Sequence, residues 1–250
     1  MTDAEEPQLP PVETALARKL NTFVRLLPDE VACLADLQSR RRTVPALTEI
    51  VYEGQSDHRA WILQEGWANC YKLVPSGGRQ IISFPLPGDI MGLRSVLLRT
   101  SDHSFASLTD AVISDVSRQR ITEIFHQFPR IAVAILWATS RDEAMVVEHL
   151  VNIGRRSAIE RLAHLFLELG HRLEMVGLAS SGGFTCPLNQ YVLADALGLT
   201  AVHVNRVLRQ LRERELITLK AHQVIIQDLD GLRALAGYDS AYLDRDQSTK

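Results

Sequence analysis

The most specific chemistry in this chain sits on Val202, Asn205, Arg206 and Arg209, within the run AVHVNRVLRQLRERELI. Spacings of three and four residues put these side chains on one face of a helix. A guanidinium on such a face can bond guanine O6 and N7 together. A second arginine nearby can meet a phosphate instead. Catalytic patterns are missing by contrast. The sequence has no nucleophile–base pair, no phosphate loop and no H-E-x-x-H spacing among its eight histidines. The expectation is therefore recognition, without enzyme activity, metal or cofactor.

Such a face needs a scaffold, and residues 188–217 read as two helices joined by a tight turn. Asn189 can cap the first helix by accepting an orphan backbone N–H. Leu188 and Leu193 sit where a hydrophobic staple would close its start. Ala194 is small enough for a second helix to pack close. Gly198 falls at the turn, flanked by Leu197 and Leu199. Thr200 can cap the second helix, and Val204, Val207, Leu208 and Leu211 recur at helical spacing toward the first. A helix-turn-helix presents the opposite face to the DNA major groove. The base-reading candidates are thus Val202, Asn205 and Arg206. The phosphate-contact candidates are Asn189, Gln190, Thr200, His203, Arg209 and Lys220. Leu216–Leu219 and Val224–Ile226, joined by Lys220–Gln223, read as a short hairpin, a wing that can touch the phosphate backbone.

Composition agrees with a regulator. The chain has 250 residues, enough for two modest domains, and a net charge of −3. Its positive charge is local: Arg206, Arg209, Arg212, Arg214 and Lys220 cluster, with Glu213 and Glu215 as offsets. A local patch on a near-neutral chain suits site binding better than bulk attraction. Cys33, Cys70 and Cys186 lie far apart, with no CxxC pair. The start, MTDAEEPQLPPVE, is acidic and Pro-rich and lacks signal-peptide features. No apolar run reaches the ~18 residues of a membrane span. The cytoplasm is the expected location.

The chain divides into five stretches. Residues 1–42 hold helical patterning, with Ala15, Leu16, Leu20, Phe23 and Leu26 as its apolar face. Residues 43–128 change to short β-rich runs (EIVYE, AWILQEG, ANCYKLV, QIISFPL, AVISDVS) separated by Gly turns, which suggests a small sandwich or barrel. A short helix follows at 120–127. Residues 129–154 read as one long helix with Pro129 in its first turn. It is apolar on more than one face, so two partners are expected: the β-domain and its own copy in a second subunit. Ile135, Ala138, Met145, Val146, Leu150 and Ile153 are the expected dimer contacts. Asn152 and Gly154 are expected to form a hinge, because Ser157–Glu160 is a capping box that starts a new helix. Residues 155–237 then form the DNA-binding head and 238–250 a tail. The fold class is α+β.

This order, with GDIMGLRSVLL after IISFPLP and with ADALGLTAVHVNRVLRQLRERELI near the C-terminal end, resembles the Crp/Fnr family of bacterial transcription regulators. The resemblance spans roughly residues 20–235. It implies a jelly-roll-like β-roll sensor, a long dimerisation helix and a winged helix-turn-helix. It implies a homodimer on an inverted-repeat operator in double-stranded DNA, with RNA polymerase as functional partner. It also implies that Arg206 reads guanine. Val202 stands where many members carry a base-reading Glu. Valine cannot accept from cytosine N4 but can touch a thymine methyl.

The sensor departs from the family pattern. Gly92-Leu93-Arg94 and His103-Ser104 occupy the positions of the cyclic-nucleotide phosphate cassette and make up the candidate effector pocket. Leu93 replaces the Glu that would hold the ribose hydroxyl, and His103 replaces the Arg that would neutralise the phosphate. Val146-Val147 replaces a polar pair on the long helix. No cysteine precedes Cys33, so the iron–sulfur signature of oxygen-sensing members is missing. The expected effector is not cAMP; it is another small molecule or none, with control through the protein's abundance. A second reading stays open: an effector-binding regulator acting mainly through a protein partner, its basic helix serving as a docking face.

Overall fold

The structure is a computed structural model and describes residues 14–56, 59–98 and 100–244. Helix α1 (Ala15–Phe23) begins where Thr14 Oγ1 accepts the Ala17 N–H. Helix α2 (Pro28–Leu37) follows, with Pro28 in its first turn. Leu16, Leu20, Phe23 and Leu34 are buried, so the apolar periodicity of this stretch is core.

The sensor contains β1 (Arg42–Val44), β2 (Glu49–Val51), β3 (Arg59–Glu65), β4 (Ala68–Leu73), β5 (Arg79–Ser83), β6 (Ile90–Met91), the short helix α3 (Leu93–Leu97), β7 (Ser104–Ser107) and β8 (Ala111–Ser117). These strands form two four-stranded antiparallel sheets, ordered β1-β8-β3-β6 and β2-β7-β4-β5. Ile50, Trp61, Leu63, Cys70, Met91, Phe105 and Ile113 pack between them. Gly66 turns β3 into β4 at φ +87°, where a Cβ would lie 2.4 Å from the Asp110 carbonyl oxygen. No other residue fits that turn without backbone movement. The strands β1, β6 and β7 escape sequence patterning. They run two to four residues, and Ser104–Ser107 is buried on both faces, so no alternation marks it.

Helix α4 (Arg118–Gln127) leads into α5 (Pro129–Arg155). Two expectations about α5 need correction. First, Ile135, Ala138 and Met145, expected as dimer contacts, are buried within the single chain, Ile135 and Ala138 in the cluster with Leu16, Leu34, Ala60 and Ile62. Val146, Leu150 and Ile153 do face outward. They belong to an exposed stripe with Val133, Leu136, Val147 and Val151. Second, the helix runs through Asn152 and Gly154 to Arg155, and the break falls at Arg156 and Ser157. Gly154 weakens a helix interior by only about 1 kcal/mol relative to Ala. Asn152 is buried within the helix, with its amide bonded to His164 Nδ1 and its carbonyl accepting from Arg156.

The head holds α6 (Ala158–Met175), β9 (Ala179–Ser180), β10 (Gly183–Thr185), α7 (Gln190–Leu197), α8 (Ala201–Glu213), β11 (Ile217–Lys220), β12 (Gln223–Ile226) and α9 (Leu229–Ala236). Its sheet is ordered β11-β12-β10-β9, so the expected wing hairpin is extended by a second hairpin the sequence did not announce. Residues 238–244 fold back, with a 3-10 turn at Ser240–Tyr242, and His171 meets Asp244 at 2.9 Å. That part of the expected tail is packed structure; residues 245–250, like 1–13, lie outside the described residues.

Sensor and head share one continuous apolar cluster. It runs from Trp67, Tyr71, Ile81, Phe84 and Leu86 of the sensor to Leu162, Phe166, Leu169 and Leu193 of the head. Polar contacts reinforce it. Arg172 of α6 donates to the Phe84 carbonyl at 2.9 Å and to Asp89 at 2.7 Å.

Candidate nucleic-acid interface

Local chemistry builds the reading helix. Asn189 Oδ1 accepts from the backbone N–H of Tyr191 and Val192 at 2.9 and 3.0 Å, which starts α7. Leu188 and Leu193 are buried as a staple requires. Gly198 ends α7 at φ +65°, ψ 39°, the left-handed conformation that favours glycine. Thr200 Oγ1 accepts the His203 N–H at 3.2 Å and starts α8. Val204, Val207 and Leu211 are buried against the head core, with Leu208 half-buried.

That packing fixes which side chains remain free. Val202 is 80% exposed, and Asn205, Arg206 and Arg209 are exposed beside it. Among the described residues, Arg206 and Arg209 have no carboxylate partner, so their guanidinium donors are unspent. The candidates at the rim are arranged unevenly. Asn189 is exposed, but its oxygen is committed to the cap, which leaves only its amide N–H2 for a ligand. Gln190 and His203 are half-buried, and Thr200 is exposed with its hydroxyl oxygen capping. Lys220 ends β11 at the wing tip. The tip turns through Ala221 and His222, both at positive φ (48° and 60°). Paired positive-φ residues are the requirement of a two-residue hairpin turn and are costly for side chains other than Gly, Asn or Asp. The Cys186 N–H donates to the His222 carbonyl at 2.8 Å, so the wing tip is tied to the strand that precedes α7.

The sensor candidates come together only in part. Arg94 and His103 converge on Asp102: Arg94 Nη2 lies 3.1 Å from it and His103 Nδ1 2.6 Å. Burial pulls the His103 pKa below the usual histidine value despite Asp102. Ser104 Oγ accepts the Glu53 N–H at 3.0 Å. Gly92 caps α3 in the left-handed conformation. Leu93 turns elsewhere, into an apolar cavity of about 20 Å³ that Leu16, Leu34, Ile62, Ile121 and Ile135 also line. It is a packing residue there, because burying an aliphatic side chain among others is favourable. Asp102 is the residue that sequence reasoning missed. A lone Asp before a Ser-rich strand carries no periodic signal, yet it engages both the Arg94 guanidinium and the His103 ring of the candidate pocket.

Other titratable side chains are packed inside. His164 is buried, and burial lowers its pKa to about 4. Cys70 and Cys186 are buried thiols pushed up to about 12 by desolvation. Among the described residues, no group of His, Cys, Asp and Glu is arranged to hold a metal ion. Among the described residues, no helix is long and apolar enough to cross a membrane.

Comparison with known proteins agrees with this geometry. Residues 41–128 match the cyclic nucleotide-binding domain family, and residues 160–235 match the Crp-like helix-turn-helix domain family. The nitrogen fixation regulation protein FixK of Rhizobium meliloti is 30% identical over 192 residues, covering 75% of this chain and 82% of FixK. The transcriptional activator protein Anr of Pseudomonas protegens is 23% identical over 209 residues, covering 84% of this chain and 85% of Anr. Among solved structures, FixK2 from Bradyrhizobium japonicum superposes with a TM-score of 0.71 at 26% identity, covering 80% of this chain and 98% of FixK2. A β-roll sensor, a long helix and an unobstructed winged helix-turn-helix, with these relatives, place the chain in the Crp/Fnr family of DNA-binding transcription regulators.

Proposed function

We propose that the protein works as a homodimer that reads an inverted-repeat operator through α8. The carrying observation is the free outer face of α8: Arg206 unpaired and Val202 80% exposed on a helix held by caps and core. Arg206 bonds a guanine through O6 and N7. Val202 meets a thymine methyl, and Asn205 reads a neighbouring base edge. Arg209 and Lys220, with the Asn189 amide, Gln190, Thr200 and His203, hold the backbone. The exposed stripe on α5 is the dimer contact, which sets two heads about 34 Å apart, one DNA turn. RNA polymerase is the partner that converts operator binding into altered transcription, and the cytoplasm is where both reside.

The sensor does not take cAMP. A cyclic phosphate brings a full negative charge, while Arg94 already pairs with Asp102 and burial lowers the pKa of His103. The ribose hydroxyl would find no acceptor at Leu93, which turns into the apolar cavity. A less polar ligand, or regulation by abundance alone, fits these residues.

The deciding experiment compares Arg206→Ala with the parent protein on selected operator and scrambled DNA. The variant is expected to lose ~1–3 kcal/mol of discrimination per half-site while remaining folded. Retention of the parent's preference would reject α8 as the reading element.

A further inference from the structure

His149, on the inner side of α5, touches two other parts of the molecule directly and a third through Glu168. Its Nδ1 lies 2.8 Å from the Ile82 carbonyl oxygen of sensor strand β5. Its Nε2 lies 3.1 Å from Glu168 Oε1 on head helix α6. The other oxygen of Glu168 accepts from Tyr242 in the folded-back C-terminal segment at 3.0 Å. Both ring nitrogens therefore face acceptors. A carbonyl has no proton to give. Burial alone would raise the Glu168 pKa, but His149, Arg172 and the Tyr242 hydroxyl outweigh burial and lower it, which favours the carboxylate. Two facing acceptors are both satisfied only by a ring that carries hydrogen on both nitrogens, an imidazolium.

We propose that His149 is a proton-gated joint between sensor and DNA-binding head, docking strand β5 to helix α6 when protonated and releasing one of them when neutral. A neutral ring keeps a single N–H. Whichever acceptor loses it then faces a nitrogen lone pair, and the buried Glu168 loses part of its counter-charge. The joint falls where movement would reorient α8, because α6 begins immediately after the break at Arg156.

The groups around His149 settle the direction of the switch. From α6 come Glu168 and Arg172, whose Nη1 is 3.8 Å from Glu168 Oε1, and His164. From α5 comes Glu148, 3.5 Å from His164 Nε2. From β5 comes the Ile82 carbonyl, and from the C-terminal turn the Tyr242 hydroxyl. His164 stays neutral near pH 7, because burial holds its pKa at about 4. For His149, burial pulls the pKa down, but the Glu168 charge and the two hydrogen bonds outweigh it and raise the pKa above the ordinary histidine value. The docked joint is thus complete at low and neutral pH and is lost as pH rises through that raised value.

The test uses the full chain without DNA, so it stands apart from the operator reading. Nitrogen-15 spectra of histidine-labelled protein report the ring's protonation, and small-angle scattering reports the placement of the head. The expected result is a doubly protonated His149 ring at pH 7, with a scattering change as the ring titrates. Glu168→Gln should move both midpoints down together by about 1–3 pH units. His149→Phe should give the released profile at every pH; if it does not fold, Glu168→Gln carries the test alone. A neutral ring at pH 7, a titration that leaves the scattering unchanged, or the same pH-dependent scattering change in His149→Phe would overturn the proposal.

Discussion

Arg79 of the sensor and Asp195 of the first helix of the helix-turn-helix form an ion pair, with Nε and Nη2 both 2.8 Å from Asp195 Oδ2. Arg79 also lies over the Tyr71 ring at 5.5 Å, and Gln80 beside it donates to the Ala196 carbonyl at 3.2 Å. The edge of the sensor is thereby fastened to the element that supports the reading helix. Both side chains are about one third exposed, at 35% and 32%, so solvent screens the pair. Arg79→Ala should cost no more than about 1 kcal/mol of global stability. A double-mutant cycle with Asp195→Ala, read by urea unfolding, should return a coupling of that size. A coupling near zero would show that the contact carries no load.

The exposed stripe on α5 makes the dimer testable. Val146 is 48% and Leu150 72% exposed in the single chain. Replacing both with Glu would place unpaired carboxylates in a buried helix–helix contact, at several kcal/mol. The double variant is expected to sediment as a monomer and to bind operator DNA far more weakly. Ala138→Glu, buried against the protomer's own core, should instead destabilise the fold itself. A dimeric Val146→Glu, Leu150→Glu protein would move the interface elsewhere.

Ligand selectivity follows from Asp102. Two unmet polar groups at ~1–3 kcal/mol each should weaken cAMP from a micromolar toward a millimolar ligand. Titration calorimetry is expected to give no saturable micromolar isotherm. Asp102→Asn, which frees Arg94 and His103, should strengthen anion binding. A tight cAMP isotherm that also raises DNA affinity in the parent protein would contradict this account.

The buried cluster at Asp89 predicts a pH dependence of stability. Burial alone would raise the Asp89 pKa, but Lys19, Arg172 and Arg141 more than offset it and hold it well below the usual carboxylate range. A depressed native pKa contributes stability that is fully present above the unfolded value of about 3.9 and lost as pH falls toward the native one. Asp89→Asn should cost about 3–5 kcal/mol at neutral pH, because it strands buried cations, and should flatten the acid limb of the unfolding profile. Arg141 should behave differently. It is buried, its Nε is unpartnered, and its nearest polar contacts are Met175 Sδ at 3.3 Å and carboxylates at 3.9 and 4.0 Å. Arg141→Met should be close to neutral in thermal unfolding, since the desolvation cost leaves with the charge.

The reading head was legible from residues alone because its determinants are local. Caps at Asn189 and Thr200, the left-handed turn at Gly198 and the buried periodicity of Val204, Val207 and Leu211 act within a few residues of one another. They leave Arg206 outward whatever else the chain does. The strands with β-branched runs were legible for the same reason, whereas Ile90–Met91 and Ser104–Ser107 exist only through their partners in the sheets. Tertiary structure alone decided which apolar face of α5 is inside. Ile135 and Leu136 look alike in sequence, and only the packed sensor separates them. It alone brought Arg94 and His103 onto Asp102, turned Leu93 into the apolar cavity and joined Lys19, Asp89, Arg141 and Arg172. It also set His149 between Ile82 and Glu168. Ion pairs and buried hydrogen bonds between residues many tens of positions apart have no period along the chain; they arise where packing carries polar groups out of water and leaves them only one another.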